Sequence, residues 1–363
     1  MQRLVAFLVL AIVPLAGCAN TGPSHAPTGP ATGGHPAYVV PDVPKVDAAD
    51  LLADHAAFVT KNNERRDNLP THLSARVDLL DHFRSYNLDA QRLNFTDGIP
   101  QADILGIKWG VQHDKWVVVG GHYDTTQWDC FDSGLVTPGC ALHTTSQGAY
   151  DDGSGTMIAV HLAKAYANVT PYYTIVFVAY DGEERGIQGA RAFVDQITSG
   201  NSTFGHVTIV GDLDIDMFGI NWPGTNAPIN LMSNSQNATS LIDAKRKEMG
   251  VPDDQFKVKA GLKLGSSDYS AFWRVSDPAP IPTVFFISDF EELGTPSPAP
   301  DAASTPFGAY PFWHFQDTVE TMTAMAGGAA QLQAGFQTAA DLTAYVVHFM
   351  ACEPGTHLDA TPQ

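Results

Sequence analysis

Apolar residues recur at helical spacing early in the chain. Leu51, Leu52, Ala56, Phe58 and Val59 predict a helix within Asp47 to Arg66. Leu73, Val77, Leu80 and Phe83 predict a second helix over Thr71 to Tyr86, with those four on one face. The pattern then changes. Ile104 to Ile107 and Trp116 to Val119 are short apolar runs that read as strands, and Thr174 to Ala179 is apolar throughout, as in a strand buried on both faces. Strands are also predicted within Val207 to Phe218, Ile229 to Met232 and Pro282 to Ile287. Helices are predicted over Met157 to Ala167, Ile187 to Ile197, Ser240 to Met249 and, as one long final element, Met325 to Met350. This alternation predicts an α/β fold, a three-layer α/β/α sandwich around a mixed, mostly parallel sheet.

The ends of the chain are of another character. Residues 1–17 have a cationic start at Arg3 and an apolar run from Leu4 to Ala16, broken by Pro14 and too short for a stable span, which reads as a secretory signal. The run closes on Leu15-Ala16-Gly17-Cys18, which resembles a bacterial lipoprotein box; that resemblance implies lipid on Cys18 and attachment to a membrane at the cell envelope, the alternative being an ordinary signal peptide and a secreted protein. Residues 18–45 are rich in proline and glycine and read as a tether. Residues 46–353 then form the expected catalytic domain, and 354–363 a tail. Export permits disulfides, so Cys130 and Cys140, ten apart in a loop-like stretch, are the expected pair, with Cys352 a buried thiol near a helix end.

Composition narrows the partners. Lys+Arg total 20 against 39 Asp+Glu, a net charge of −19. A nucleic-acid partner is therefore excluded as an expectation, because phosphate binding needs a basic face. The acid excess keeps a protein soluble, but some acids are placed as if for metal.

The first such place is Gly120-Gly121-His122-Tyr123-Asp124, where an apolar strand runs into His-x-Asp. His122 and Asp124 share a strand face, so the carboxylate can fix the ring of a metal-binding imidazole. Asp151 and Asp152 follow in a glycine-rich turn before a helix; Asp151 suits a ligand, and Asp152 and Ser154 suit helix caps. Glu183 and Glu184 stand at the end of the apolar strand, where open α/β sheets carry their sites, and Gly182 and Gly186 ease the turn both need to reach one site. The alternative is a charged helix start. Asp212, Asp214 and Asp216 share one face of a strand, either a site wall or the solvated face of an edge strand. His314 lies among aromatics in Phe312 to Thr318.

Taken in order from Val117 to Thr318, these five motifs resemble the co-catalytic zinc aminopeptidase family that includes bacterial leucyl aminopeptidase and aminopeptidases S and Y and, more distantly, glutamate carboxypeptidase II. The resemblance implies two Zn2+ ions per chain and peptide substrates. It assigns His122, Asp151 and Asp216 to one ion and Asp151, Glu184 and His314 to the other, with Asp151 bridging. It makes Glu183 the general base and Asp124 the support of His122, and places Ser267-Asp268 near the site. Each ion then has one imidazole, one terminal carboxylate and a shared carboxylate, which are suitable zinc ligands and leave an open position. The chain departs from the family where His commonly follows the Ser-Asp pair and Tyr269 stands here, and where Leu264 and Gly265 replace a Tyr that helps hold the oxyanion in some members. The long segment from Thr125 to Gln147 joins two ligand-bearing motifs and is expected to overhang the site. The expected reaction is hydrolysis of N-terminal peptide bonds. The alternatives are a glutaminyl-peptide cyclotransferase of related fold, working with one zinc, and a catalytically silent metal-binding surface protein.

Overall fold

The structure is a computed structural model that describes residues 38–66, 68–126, 131–132, 135–136, 146–199, 204–220, 229–259, 267–275, 279–288, 317–356 and 358–361. The predicted signal, Cys18, most of the tether, the Cys130 and Cys140 pair, and His314 lie outside the described residues.

In chain order the elements are α1 (Ala48–Lys61), α2 (Pro70–Ser85), β1 (Asp89–Asp97), β2 (Ile99–Lys108), β3 (Gln112–His122), the short β4 (Phe131–Asp132) and β5 (Leu135–Val136), α3 (Gly153–Tyr166), β6 (Tyr173–Tyr180), α4 (Gln188–Thr198), β7 (Thr208–Ile215), β8 (Ile229–Ser233), α5 (Gln236–Glu248), β9 (Phe256–Lys259), α6 (Tyr269–Trp273), β10 (Thr283–Ile287), α7 (Val319–Met325) and α8 (Ala329–Ala351). Eight strands form one sheet in the order β1-β2-β6-β3-β7-β10-β8-β9, and β4 pairs with β5. The centre is parallel: β3 lies between β6 and β7, and β10 continues alongside β7. Antiparallel pairs join β1 to β2, β2 to β6 and β10 to β8. The expected mixed sheet with helices on both faces is therefore what the chain forms.

The two faces are distinct. One packs Val117, Val119, Ile175, Phe177, Leu213 and Ile215 against α1, α2, α3, α5 and α8. The other packs Val118, Val176, Val178 and Tyr180 against α4 and α6. Alternate residues of each central strand thus enter opposite cores, which is why these strands read as continuous apolar runs. Helix α3 runs close to the sheet, and nearly every residue in it is buried. Gly155 in its first turn permits this approach, because a Cβ there would overlap the carbonyl oxygen of Ile215.

Several expectations need correction. The second helix forms, but Leu73 and Val77 are exposed (45% and 46%), and its buried face carries His72, Ala75, Arg76, Leu79, Leu80 and Phe83. Two polar residues are turned inward there because they meet Asp181, through a 2.9 Å contact from His72 Nε2 and a 2.7 Å ion pair from Arg76. The long final helix forms as α8, but it begins at Ala329 and not Met325, because Gly327 and Gly328 in positive-φ conformations (φ 87° and 118°) part it from the short α7. Strand β7 is central, so its acidic face is not the solvated face of an edge strand. Cys352 is the buried residue capping α8, as expected.

Candidate metal centre

The site lies at the carboxyl ends of β3, β6 and β7, three neighbouring strands. His122 ends β3, the Asp181–Gly186 turn follows β6, and Asp216 follows β7. The acids on β7 face the site because of a register shift in its pairing with β3, where Trp116 pairs with Ile209 but Val117 with Gly211. Ile209 packs on the α4 side, yet Leu213 and Ile215 pack on the α3 side. The extra residue thus flips the alternation and turns Asp212, Asp214 and Asp216 to the other face.

Three predicted ligands converge. One donor atom each from His122, Asp151 and Asp216 lies within 4.8 Å of the other two. His122 Nε2 is 3.2 Å from Asp151 Oδ1 and 3.9 Å from Asp216 Oδ1. On its other side, His122 Nδ1 faces Asp124, 3.4 Å from Oδ1 and 3.3 Å from the main-chain oxygen. Glu183 Oε2 lies 3.9 Å from His122 Nε2. Asp124 also accepts hydrogen bonds from the main-chain N–H of Glu183 (3.0 Å) and of Glu184 (3.3 Å), so it aligns the His122 ring and the Glu183–Glu184 turn together. The turn is closed by Gly186 and Ile187 N–H bonds to the Glu183 carbonyl, with Gly182 at φ 72°. Since α4 begins only at Gln188, Glu183 and Glu184 lie before the helix and not in its first turn.

Asp152 caps α3 as expected, accepting from Gly155 N–H at 2.7 Å. It does more than cap. Its carboxylate also accepts from the N–H of His122 and of Met217, both at 3.2 Å, and so joins the ends of β3 and β7 to the start of α3. Asp317 accepts from Tyr150 N–H on both oxygens (2.8 and 2.9 Å) and from Asp151 N–H at 2.7 Å, which fixes the main chain that carries Asp151. Ser267 Oγ donates to Asp216 Oδ2 (2.9 Å) and approaches Asp214 Oδ2 (3.3 Å), while Tyr269 N–H donates to Asp214 Oδ2 (2.7 Å). The Ser-Asp motif thus braces the β7 acids. The Tyr269 ring stacks on Phe285, with centroids 4.6 Å apart.

Sequence reasoning missed a layer beneath the Glu183–Glu184 turn. Asp181 is fully buried and meets His72, Arg76, the Tyr123 hydroxyl (2.8 Å) and the Ala102 N–H (3.1 Å). Burial alone would raise its carboxyl, but His72 and Arg76 hold it below the usual value. An Arg four residues after a His, on one face of a mostly polar helix, was the available signal. Arg65 was missed as well; its guanidinium is buried among main-chain carbonyls next to the site.

The electrostatics favour a cation. Burial, with the repulsion of Asp151 and Asp214, pushes Asp216 up to about 8 despite the neighbouring His122. Burial raises Glu183 and Glu184 well above the usual range, and Asp151 and Glu183 add to the effect on Glu184. Burial would lower His122, but Asp124, Asp151, Glu183 and Asp216 together raise it well above its usual value. Asp216 Oδ1 is buried with no hydrogen-bond partner among the described residues. An imidazole and two carboxylates with an orphaned oxygen are a fitting donor set for zinc. Glu184 shares the turn but is not among the three converging donors, and His314 lies outside the described residues.

Comparison with known proteins agrees with this geometry. The profile of peptidase family M28 matches residues 104–334. A probable zinc metalloprotease of Phaeosphaeria nodorum is 31% identical over 154 residues, covering 41% of this chain and 30% of that protein. An aminopeptidase of Bacillus subtilis is 28% identical over 130 residues, covering 35% of this chain and 24% of that protein. The chain spans about a third or less of the length of the curated relatives it matches. Among solved structures, a zinc aminopeptidase from Bacillus subtilis superposes with TM-score 0.61 at 14% identity, over 87% of this chain and 98% of that one. A glutaminyl cyclase from Tannerella forsythia superposes with TM-score 0.59 at 15% identity, over 84% and 99%. At these identities the solved structures establish the shared fold alone.

Proposed function

The chain belongs to peptidase family M28, and from that footing we propose that it is a zinc-dependent aminopeptidase releasing N-terminal residues from peptides. The observation that carries the reading is the meeting of His122, Asp151 and Asp216 at the carboxyl ends of central strands, with Glu183 beside them. His122, Asp151 and Asp216 would hold one zinc, and Asp151, Glu184 and His314 would hold a second; there the metal would supply a Lewis acid for a substrate carbonyl and a coordinated water of lowered pKa.

The chain supplies the rest. Glu183 is the general base: it takes a proton from the attacking water at its carboxylate and returns it to the leaving amine. Its place is set by Asp124, which holds its main-chain N–H and faces the His122 ring. Asp317 and Asp152 keep Asp151 and His122 in register, and Ser267 holds Asp216. Buried acids at the same edge of the sheet attract the protonated α-amine of a peptide, which favours exopeptidase action. We propose also that the protein is exported and anchored at the cell envelope through lipid on Cys18, or secreted if the lipoprotein box is not used.

The test is a panel of aminoacyl anilides and dipeptides, their N-acetylated counterparts and a glutaminyl peptide, given to zinc-loaded protein with and without chelator. Chelator-sensitive release from the free-amine substrates only is expected. Pyroglutamate formation without anilide hydrolysis would establish the cyclase instead, and turnover of none would leave a silent metal-binding protein.

A further inference from the structure

Arg65 comes from the connection between α1 and α2, outside the part of the chain matched by the family profile. Its side chain is fully buried, and its guanidinium donates to main-chain oxygens. Nε donates to Tyr123, Nη1 to Asn62 (3.2 Å) and Gln147 (2.6 Å), and Nη2 to Gly148 (2.9 Å). Its main chain adds a reciprocal pair with Thr125: Arg65 N–H donates to Thr125 Oγ1 (3.0 Å), and Thr125 N–H to the Arg65 carbonyl (3.1 Å).

Apart from Asn62 in its own loop, the acceptors belong to two segments. Tyr123 stands between His122 and Asp124, and Gln147 and Gly148 lead directly to Asp151. The stretch from Gln147 to Asp151 is also held by His55, whose Nε2 is 2.6 Å from the Ala149 carbonyl, by Asp317, and by the Val319 N–H on Gln147 Oε1 (2.7 Å). Arg65 spans both segments with one rigid fork. Burial draws its pKa down to about 10, while the charges of Asp317, Asp124, Asp152 and Asp151 oppose that fall, so the guanidinium keeps its charge at neutral pH. Its acceptors are uncharged carbonyls, so its positive charge is left to act on the surrounding carboxylates.

We infer that Arg65 is a positioning residue: it sets the separation at which His122 and Asp151 meet the metal and offsets part of the repulsion among the site carboxylates. The inference rests on the reading that these two residues bind zinc. Lys cannot replace it, since a single ammonium cannot present donors in a planar fork to three carbonyl-bearing segments at once.

The experiment uses full-length protein carrying Arg65→Lys or Thr125→Val, with Arg246→Lys as a control. Arg246 is also a buried guanidinium, on α5, paired with Asp243 (2.7 Å) and Asp253. Zinc affinity is measured by competition against a chelator, and the visible spectrum is recorded after loading with cobalt(II). Arg65→Lys is expected to lose ~10–100-fold in zinc affinity and to shift the cobalt bands, as loss of outer support for ligands typically does. Arg246→Lys is expected to lower stability while leaving both readouts at wild-type values. Should Arg65→Lys not fold, Thr125→Val carries the test, with a several-fold weaker zinc affinity expected. Wild-type affinity and spectrum in a folded Arg65→Lys or Thr125→Val protein would overturn the inference alone. A wild-type chain that takes up no zinc would overturn the metal reading and the inference with it.

Discussion

Asp317→Asn separates the placement of Asp151 from the chemistry of the site. Asp317 is fully buried, and its two oxygens receive the N–H groups of Tyr150 and Asp151 at 2.7–2.9 Å. Asparagine preserves the volume but turns an NH2 toward one of those donors. Its oxygen at the Oδ2 position still reaches both donors, but the NH2 at the Oδ1 position opposes the Tyr150 N–H across 2.8 Å, at about 1–3 kcal/mol, and the bonds lose charge assistance, about 1 kcal/mol more. A loss of about 2–4 kcal/mol is expected in urea unfolding of the metal-free protein, with the midpoint lowered and the slope unchanged. The released main chain also carries Asp151, so zinc affinity should fall by ~10-fold or more in chelator competition. A change under about 0.5 kcal/mol together with wild-type zinc affinity would refute this reasoning, because Asp317 would then not be what holds Asp151.

Two further outcomes follow from the buried polar layer. Arg76→Met strips the 2.7 Å ion pair from a fully buried Asp181 and should cost about 3–5 kcal/mol by urea unfolding, toward the lower end because His72 and Tyr123 remain; under about 1 kcal/mol would contradict the buried pair. Burial lowers His55 and His161 to about 4, so each is neutral when folded, whereas the unfolded chain binds protons below about 6.5. Stability is therefore full above pH 6.5 and lost as pH falls toward 4, by at most about 3 kcal/mol per residue. His161→Gln should lose less over that window than wild type, and identical pH profiles would contradict the assignment.

The sequence carried the fold class through its alternating periodicities, and it carried three residues that meet in the structure, His122, Asp151 and Asp216. Elements whose apolar pattern is intact, such as α4 and β6, lie within a residue or two of expectation. What it concealed has three physical origins. Order along the chain does not give order in the sheet, so β7 could be read as an edge strand although it pairs on both sides. A single-residue register shift reverses which face a strand's alternation serves, and that shift puts Asp212, Asp214 and Asp216 on the buried site side. Burial can also follow polar partners: α2 hides His72 and Arg76 and exposes Leu73 and Val77 because Asp181 lies beneath it. Long-range partners such as Arg65 with Gly148 or Asp317 with Asp151 leave no local pattern, since the residues they join are distant in sequence.

The most direct test of the proposed chemistry is the turnover of zinc-loaded Glu183→Gln on the best aminoacyl anilide, with bound zinc measured on the same sample. Glu183 lies beside His122 and is anchored through its N–H to Asp124, so the substitution removes the base and leaves the ligands standing. Zinc content equal to wild type with kcat lower by ~10²–10⁴ is the expected result. Turnover within about tenfold of wild type at equal zinc content would contradict Glu183 as the general base.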